Sequence, residues 1–255
     1  MNWFKKLFSK SATTSASTQT ASAPPQNLRV RGGSLALVPV KLGAAQAEWQ
    51  RRRRTTAGTM VILIDPFELA EIKADAEDEL PSETLTLAAK VDLPKFFAAR
   101  HDDQGLDVDE EMDEEFAISH QEPDPAELTR PKKPVKDFSG PTLGKSAFLS
   151  EIPCDQPWQV FAHYPFGGWN EVPFDQELTA VFKDWFDRFG AVPALISSDV
   201  IEFWLDQPVE DPAVAAKLAM EMFILCPDVV DQGTETVTAL ANSILGANVW
   251  FFWWD

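Results

Sequence analysis

The stretch LTAVFKDWFDRFGAVPALISSDVIEFWL, residues 178–205, decides the fold. Leu178, Val181, Phe182, Trp185, Phe186 and Phe189 fall at i, i+3, i+4, i+7, i+8 and i+11, the spacing of a helix with one wide apolar face. Gly190 is placed to stop that helix as its C′ residue, where a left-handed conformation carries no Cβ penalty. Residues 192–196 then read as a short buried strand, Ser197, Ser198 and Asp199 as a turn, and VIEFWL as a second strand closed by Pro208. Helices and strands mixed without a regular β-α-β rhythm predict an α+β fold, a mixed sheet with flanking helices.

Beyond this stretch, Pro212 at the first helical position after Asp211 opens a helix carrying Val214, Leu218, Met222 and Leu225 inward, and Pro227 ends it. Thr234 is expected to cap a further helix with Val237, Leu240, Ala241, Ile244 and Leu245 inward and Gly246 at its end. The closing NVWFFWWD reads as a strand buried on both faces. Upstream, WQVFAHYP over residues 158–165 reads as another strand. GGWNEVP, residues 167–173, reads as a tight turn whose glycines permit positive φ and whose Asn170 suits a turn or a cap. Near the other end, a helix over residues 44–54 stops before Gly58, and TMVILID, residues 59–65, follows as a buried strand. Helix, glycine, short strand and acid occur in both places, through duplication or through the commonness of the unit.

Charge divides the chain. Residues 1–58 hold ten Lys or Arg against one acid, +9, and the remaining 197 residues hold twelve against 39, −27, for a net charge of −18. So negative a body repels phosphate backbones, whose affinity for proteins comes mainly from Lys and Arg displacing counterions. Nucleic-acid binding by the main body is therefore disfavoured and a basic protein partner is expected. The composition, 45% apolar and 11% aromatic, excludes wholesale disorder. The layout reads as four parts: residues 1–27, an amphipathic segment (MNWFKKLFSK) with a flexible Ser/Thr-rich tether; 28–100, an α/β region packing on the C-terminal domain; 101–147, an acidic and Pro-rich linker or insertion; and 148–255, the C-terminal α+β domain. Residues 1–10 carry Trp3, Phe4, Leu7 and Phe8 at helical spacing with Lys5, Lys6 and Lys10, a weak peripheral membrane or partner anchor or simply a frayed terminus. They lack the apolar core and cleavage site of a secretory signal, and the longest apolar runs are far shorter than the roughly 20 residues of a membrane span, so a cytoplasmic location is expected.

Familiar motifs fail when counted. In GPTLGKS, residues 140–146, three residues separate the glycines where a phosphate loop has four, and no hydrophobic strand precedes it. The run DDQGLDVDEEMDEE holds nine acids and no base but lacks the glycine and ligand alternation of a calcium loop. Arg51, Arg52, Arg53 and Arg54 at a helix end complement its dipole or dock on the acidic remainder of the chain. Cys154 and Cys226 have no adjacent base and read as structural. No metal or other cofactor is expected.

The polar residues set in apolar context are His163, Asn170, Glu171, Asp199, Glu202, Glu221, Asp228 and Asp255. If they converge, paired carboxylates with His163 are equipped for general acid/base work; if they do not, the acids cap backbone N–H groups and His163 is a hydrogen-bonded core residue. Trp169 is a large aromatic on a glycine turn, and with Asn170 and Glu171 it is the leading contact site.

GGWNEVP, the stretch FGAVPALISSDVIEF, Ala219-Met220-Glu221 with Cys226-Pro227-Asp228, Gly233 and the closing WFFWWD together resemble the bacterial family of unknown function numbered 4253, over about residues 150–255. The resemblance implies a compact bacterial domain and brings no activity, cofactor or catalytic residue. Val172 stands where the family's pattern is associated with cysteine, so no thiol role is expected there. The first functional expectation is a non-enzymatic interaction module binding a basic partner, by analogy with proteins that neutralise basic toxins through acidic surfaces. The alternative is a metal-dependent or acid/base hydrolase using the carboxylates and His163 near the GGWNE turn.

Overall fold

The computed structural model describes residues 27–68, 79–103 and 119–255. The sequence-predicted amphipathic segment and tether, and most of the acidic run, lie outside the described residues.

A hairpin of β1 (Asn27–Val30) and β2 (Gly33–Ala36) precedes β3 (Val38–Val40). Next come α1 (Ala45–Arg52), β4 (Thr59–Ile64), α2 (Pro81–Ala88) and α3 (Leu93–Asp103). After β5 (Ala147–Ile152), the short α4 (Val160–His163) leads to α5 (Asp175–Phe189), β6 (Val192–Ile196) and β7 (Val200–Trp204). The chain finishes with α6 (Pro212–Leu225), one π-helical turn (Val229–Thr234), α7 (Val237–Ile244) and β8 (Val249–Trp253).

Six strands form one mixed sheet in the order β3-β5-β4-β6-β7-β8. β4 and β6 pair parallel and every other neighbouring pair is antiparallel, so the protein is α+β with helices flanking a mixed sheet. Strands from both ends of the sequence thus share one hydrogen-bonded sheet.

Because side chains alternate across a strand, the sheet divides the core in two. On one face Val61, Leu63, Ile196, Ile201, Phe203, Trp250 and Phe252 pack against α5, α6 and α7. Trp185 of α5 is the centre of this layer, stacked on Phe252 at 5.5 Å and edge-on to Trp250 at 5.9 Å. On the other face Ile62, Ile64, Leu149, Leu195 and Val200 meet Ala45 and Trp49 of α1 and Phe138. The aromatic ending is therefore fully buried on the α5 face, through Trp250 and Phe252, and only half-buried on the other at Phe251 and Trp253, as befits the edge strand β8.

The predicted stops and caps hold at two places. Gly190 ends α5 at φ 67°, and Asp211 caps α6 by accepting from Ala213 N at 2.8 Å. The structure departs from the sequence pattern at two others. Residues 158–165 are not a strand: Pro157–Gln159 is a 3₁₀ turn running into α4, because Gln159 Oε1 accepts from the amides of Asp155 and Gln156 (3.0 and 3.1 Å) and sets the turn that starts the helix. The cap of α7 is Thr236, which accepts from Ala239 N at 3.0 Å; Thr234 belongs to the π turn and donates back to Val229 O. Glu235, left-handed between them at φ 68°, separates the two helices.

The four-arginine run is largely used internally. Arg51 and Arg52 pair with Glu48, and Arg53 lies against the rings of Trp49 and Trp204 while pairing with Asp206. No helix among the described residues is long and apolar enough to cross a membrane.

Candidate functional site

Glycine geometry explains the GGWNEVP turn. A methyl group on Gly167 would run into the carbonyl of Pro173, Gly168 sits at φ 79° and Asn170 at φ 45°. Gly168 N donates to the carbonyls of Val172 (3.2 Å) and Pro173 (3.1 Å), closing the loop on itself. The loop is anchored from below by Asp175, the buried first residue of α5. Its Oδ1 accepts from Phe166 N at 2.9 Å and Gly167 N at 2.6 Å, and its Oδ2 pairs with the buried Arg31 at 2.8 Å. Arg31 also reaches Glu79 at 2.6 Å and the carbonyl of Phe161 at 3.3 Å. Asp175 and Arg31 are absent from the sequence-predicted set; the one available signal is an acid at a helix start, which capping alone explains.

So fixed, the turn delivers Asn170 to the end of the chain. Asn170 Nδ2 donates to the carbonyl of Asp255, and Asp255 N donates to Asp228 Oδ2 at 2.9 Å. Gln232 Nε2 then bridges two carboxylates, donating to Asp228 Oδ1 at 2.9 Å and to Asp255 Oδ2 at 3.4 Å. Beneath this ring of contacts Phe166 packs edge-on against Trp254 at 5.6 Å and Trp169 at 6.3 Å. Three of the predicted residues, Asn170, Asp228 and Asp255, therefore meet at one corner, beside Glu171. Trp169 is half-buried here and packs on the core, with no acceptor for its buried indole N–H among the described residues. Gln232 is not among the predicted residues, and a lone glutamine in a helical turn gives no signal.

The corner is electrostatically one-sided. Glu171 is exposed, and the backbone carbonyl of this residue, not its carboxylate, accepts from Arg100 at 3.0 Å. Among the described residues no basic side chain pairs with the carboxylates of Glu171, Asp228 or Asp255. Several acids elsewhere do have basic partners: Glu221 with Arg188, Glu210 with Arg130, Asp187 with Lys183.

The remaining predicted residues lie apart from this ring. Asp199 holds the β6–β7 turn, accepting from Ser197 Oγ at 2.8 Å, and receives the indole N–H of Trp253 at 3.1 Å. Glu221 accepts the indole N–H of the buried Trp185 at 2.9 Å and pairs with Arg188 at 2.9 Å. His163 ends α4; burial pushes its pKa down, against a smaller opposing pull from Asp155. Glu202 is buried on the α1 face of the sheet and accepts from Ser139 N (2.9 Å), Ser139 Oγ (3.0 Å) and Gly140 N (2.6 Å). Among the described residues no three His, Cys, Asp or Glu side chains form a group able to hold a metal ion. Burial raises the pKa of both thiols; Cys226 donates to the carbonyl of Trp253 and Cys154 to Thr59.

Residues 148–255 match the model of the family described as Domain of unknown function (DUF4253). The GGWNE and FWWD elements, which carry the resemblance in sequence, are the two that Asn170 and Asp255 join in space. No curated protein and no solved structure matches the chain.

Proposed function

We propose that the protein is a non-enzymatic interaction module of the bacterial cytoplasm that binds a basic protein through the corner formed by the GGWNE turn, the π-helical turn and Asp255. One observation carries this reading: Asp228 and Asp255 share a single neutral bridge, Gln232, beside the exposed Glu171, and none of the three has a basic partner among the described residues. Like charges held together repel, and a lysine or arginine side chain arriving from outside relieves that repulsion while gaining charge-assisted hydrogen bonds. The net charge of −18 adds long-range attraction for the same class of partner and opposes nucleic acid. Residues 1–10, with three lysines among apolar side chains, supply a second, weak contact to a membrane surface or a partner.

Titration calorimetry with an arginine- and lysine-rich peptide tests the proposal. Wild type binds, more weakly as salt is raised, and the double substitution Asp228→Asn with Asp255→Asn lowers affinity by about tenfold, on the order of 1 kcal/mol. Neutralising two acids of the run at residues 107–115 (Glu110→Gln with Glu111→Gln) leaves most of the affinity. Equal losses in the two variants overturn the assignment of the corner.

A further inference from the structure

Three of the four most exposed large apolar side chains among the described residues belong to one face: Leu80 at 52%, Leu87 at 49% and Phe174 at 59%. Arg31 brings two of them together. It pairs with Glu79 at 2.6 Å and with Asp175 at 2.8 Å, so Leu80, which follows the first acid, and Phe174, which precedes the second, stand on either side of one guanidinium. From there α2 turns Thr84 and Ala88 inward, toward α4 and α5, and carries Leu87 two turns beyond Leu80 on its outer side, about 10 Å along the axis. Glu83 stands exposed between the two leucines, with no basic partner among the described residues. The face is thus apolar with an acidic centre, the kind of exposed patch that marks an interaction site. The β1–β2 hairpin reaches it with its tip, formed by Arg31 and Gly32: a methyl on Gly32 would touch Pro81, the first residue of α2.

We infer that this face is the docking site of the chain's own residues 1–10, MNWFKKLFSK. Chemistry, size and reach all match. Trp3, Phe4, Leu7 and Phe8 share one side of a helix, flanked by Lys5, Lys6 and Lys10, so the segment offers apolar side chains to Leu80, Leu87 and Phe174 and ammonium groups to Glu83 and the half-exposed Glu79. Trp3 and Phe8 lie about 7.5 Å apart along a helix axis, within the span of the two leucines. A ten-residue helix does not hold its shape alone in water, so the segment needs a surface that covers its apolar side. The hairpin supplies the reach. β1 starts at Asn27, four residues or roughly 13 Å from Arg31. Residues 11–26 lie between the segment and that start, and an unstructured chain of sixteen residues spans about 22 Å on average. A tether of this length gives an effective concentration in the millimolar range, at which an intrinsic dissociation constant of about 1 mM already half-fills the site. Docking withholds the apolar side of the segment from a membrane surface or a partner, and that contact then requires release. It needs no partner at the Asp228–Asp255 corner, so its failure leaves the corner's role untouched.

The test is paramagnetic broadening of amide signals in the full chain. A nitroxide is attached at Ser9→Cys, and the natural cysteines Cys154 and Cys226 escape labelling because both are buried. The expected result is that the amides of Glu83 and Leu87 broaden while those of Ile201 and Phe203, inside the sheet, stay sharp. Trp3→Ser with Phe4→Ser reduces the broadening by threefold or more, and so does Leu80→Ser with Phe174→Ser, a change confined to exposed positions. The first pair touches no described element and serves alone if the second does not fold. Broadening of equal size in the Trp3 and Phe4 variant, which a freely diffusing tether produces, overturns the proposal, as does broadening at Asn170 and Asp255 with Glu83 and Leu87 unaffected. A nitroxide on one copy that broadens the same amides of a second, isotopically labelled copy equally well makes another copy the occupant and overturns it too.

Discussion

Replacing Asp175 by alanine destabilises the fold severely, because one carboxylate does two jobs at once. Arg31 stays buried with only Glu79, which is half exposed, and the Phe161 carbonyl around it, and the amides of Phe166 and Gly167 lose the acceptor that shapes the GGWNE turn. Breaking one side of a buried ion pair costs about 3 to 5 kcal/mol, and the surviving contact to Glu79 places this case at the lower end. Two displaced amide hydrogen bonds add about 1 kcal/mol or more, giving about 4 kcal/mol in all. At about 2 to 4 °C per kcal/mol for a chain of this size, the melting temperature falls by about 8 to 16 °C. Urea denaturation followed by tryptophan fluorescence measures the cost as a lowered midpoint with an unchanged slope. Arg31→Met alone also destabilises, but the double variant recovers about 2 kcal/mol relative to the sum of the singles, since it removes the buried charge along with its partner. A cost of Asp175→Ala below about 1 kcal/mol, or a cycle with no coupling, refutes the claim that this pair holds the turn.

Further substitutions at Glu202, Gly167, Gly43 and Glu221 have outcomes set by their surroundings. Glu202 has a folded-state pKa of about 7 against an ordinary 4.5, so the folded state binds the extra proton and the group's contribution is complete below pH 4.5 and lost as pH rises to about 7. The stability difference between wild type and Glu202→Gln therefore declines by up to about 3 kcal/mol across that window, measured by denaturation at several pH values, and a constant difference contradicts the burial argument. Gly167→Ala forces the new methyl into the Pro173 carbonyl and lowers stability by about 2 kcal/mol or more in the same assay, whereas Gly43→Ala, which meets nothing within 4 Å, changes it by well under 1 kcal/mol. Glu221→Leu leaves the buried Trp185 indole N–H without its acceptor and costs about 1 to 3 kcal/mol, while Glu221→Gln, which keeps an acceptor, costs less.

How much of this is legible in the sequence depends on the range of each interaction. The helix around Trp185, its glycine stop and the two strands after it are legible because their signals are local and periodic. The four-residue α4 mimics a strand because Val160, Phe161, Ala162 and Tyr164 are all buried, and so short an apolar run does not distinguish one helical turn from a strand. Thr234 looks as good a cap as Thr236 because a left-handed Glu235 is not visible in composition. At the site, Asn170, Asp228 and Asp255 each stand out as polar residues in apolar surroundings, but their meeting spans 85 residues between Asn170 and Asp255. Likewise Glu202 is conspicuous for its place in a buried strand, while its donors sit 63 residues upstream in a loop that reads as linker. Gln232 and Ser139 carry no chemistry of their own until the fold places a carboxylate against them.

The acidic corner as a binding surface is tested most directly by a nuclear magnetic resonance titration of the full chain with the arginine- and lysine-rich peptide, read at side-chain amides. Asn170 and Gln232 sit among the carboxylates that lack a basic partner, whereas Gln46 and Asn248 donate to backbone carbonyls of Lys136 and Leu205 away from them. The expected result is that the Asn170 and Gln232 amide signals shift with added peptide and return with added salt, while those of Gln46 and Asn248 stay in place. Shifts confined to other acidic stretches, with Asn170 and Gln232 unmoved at saturation, contradict it.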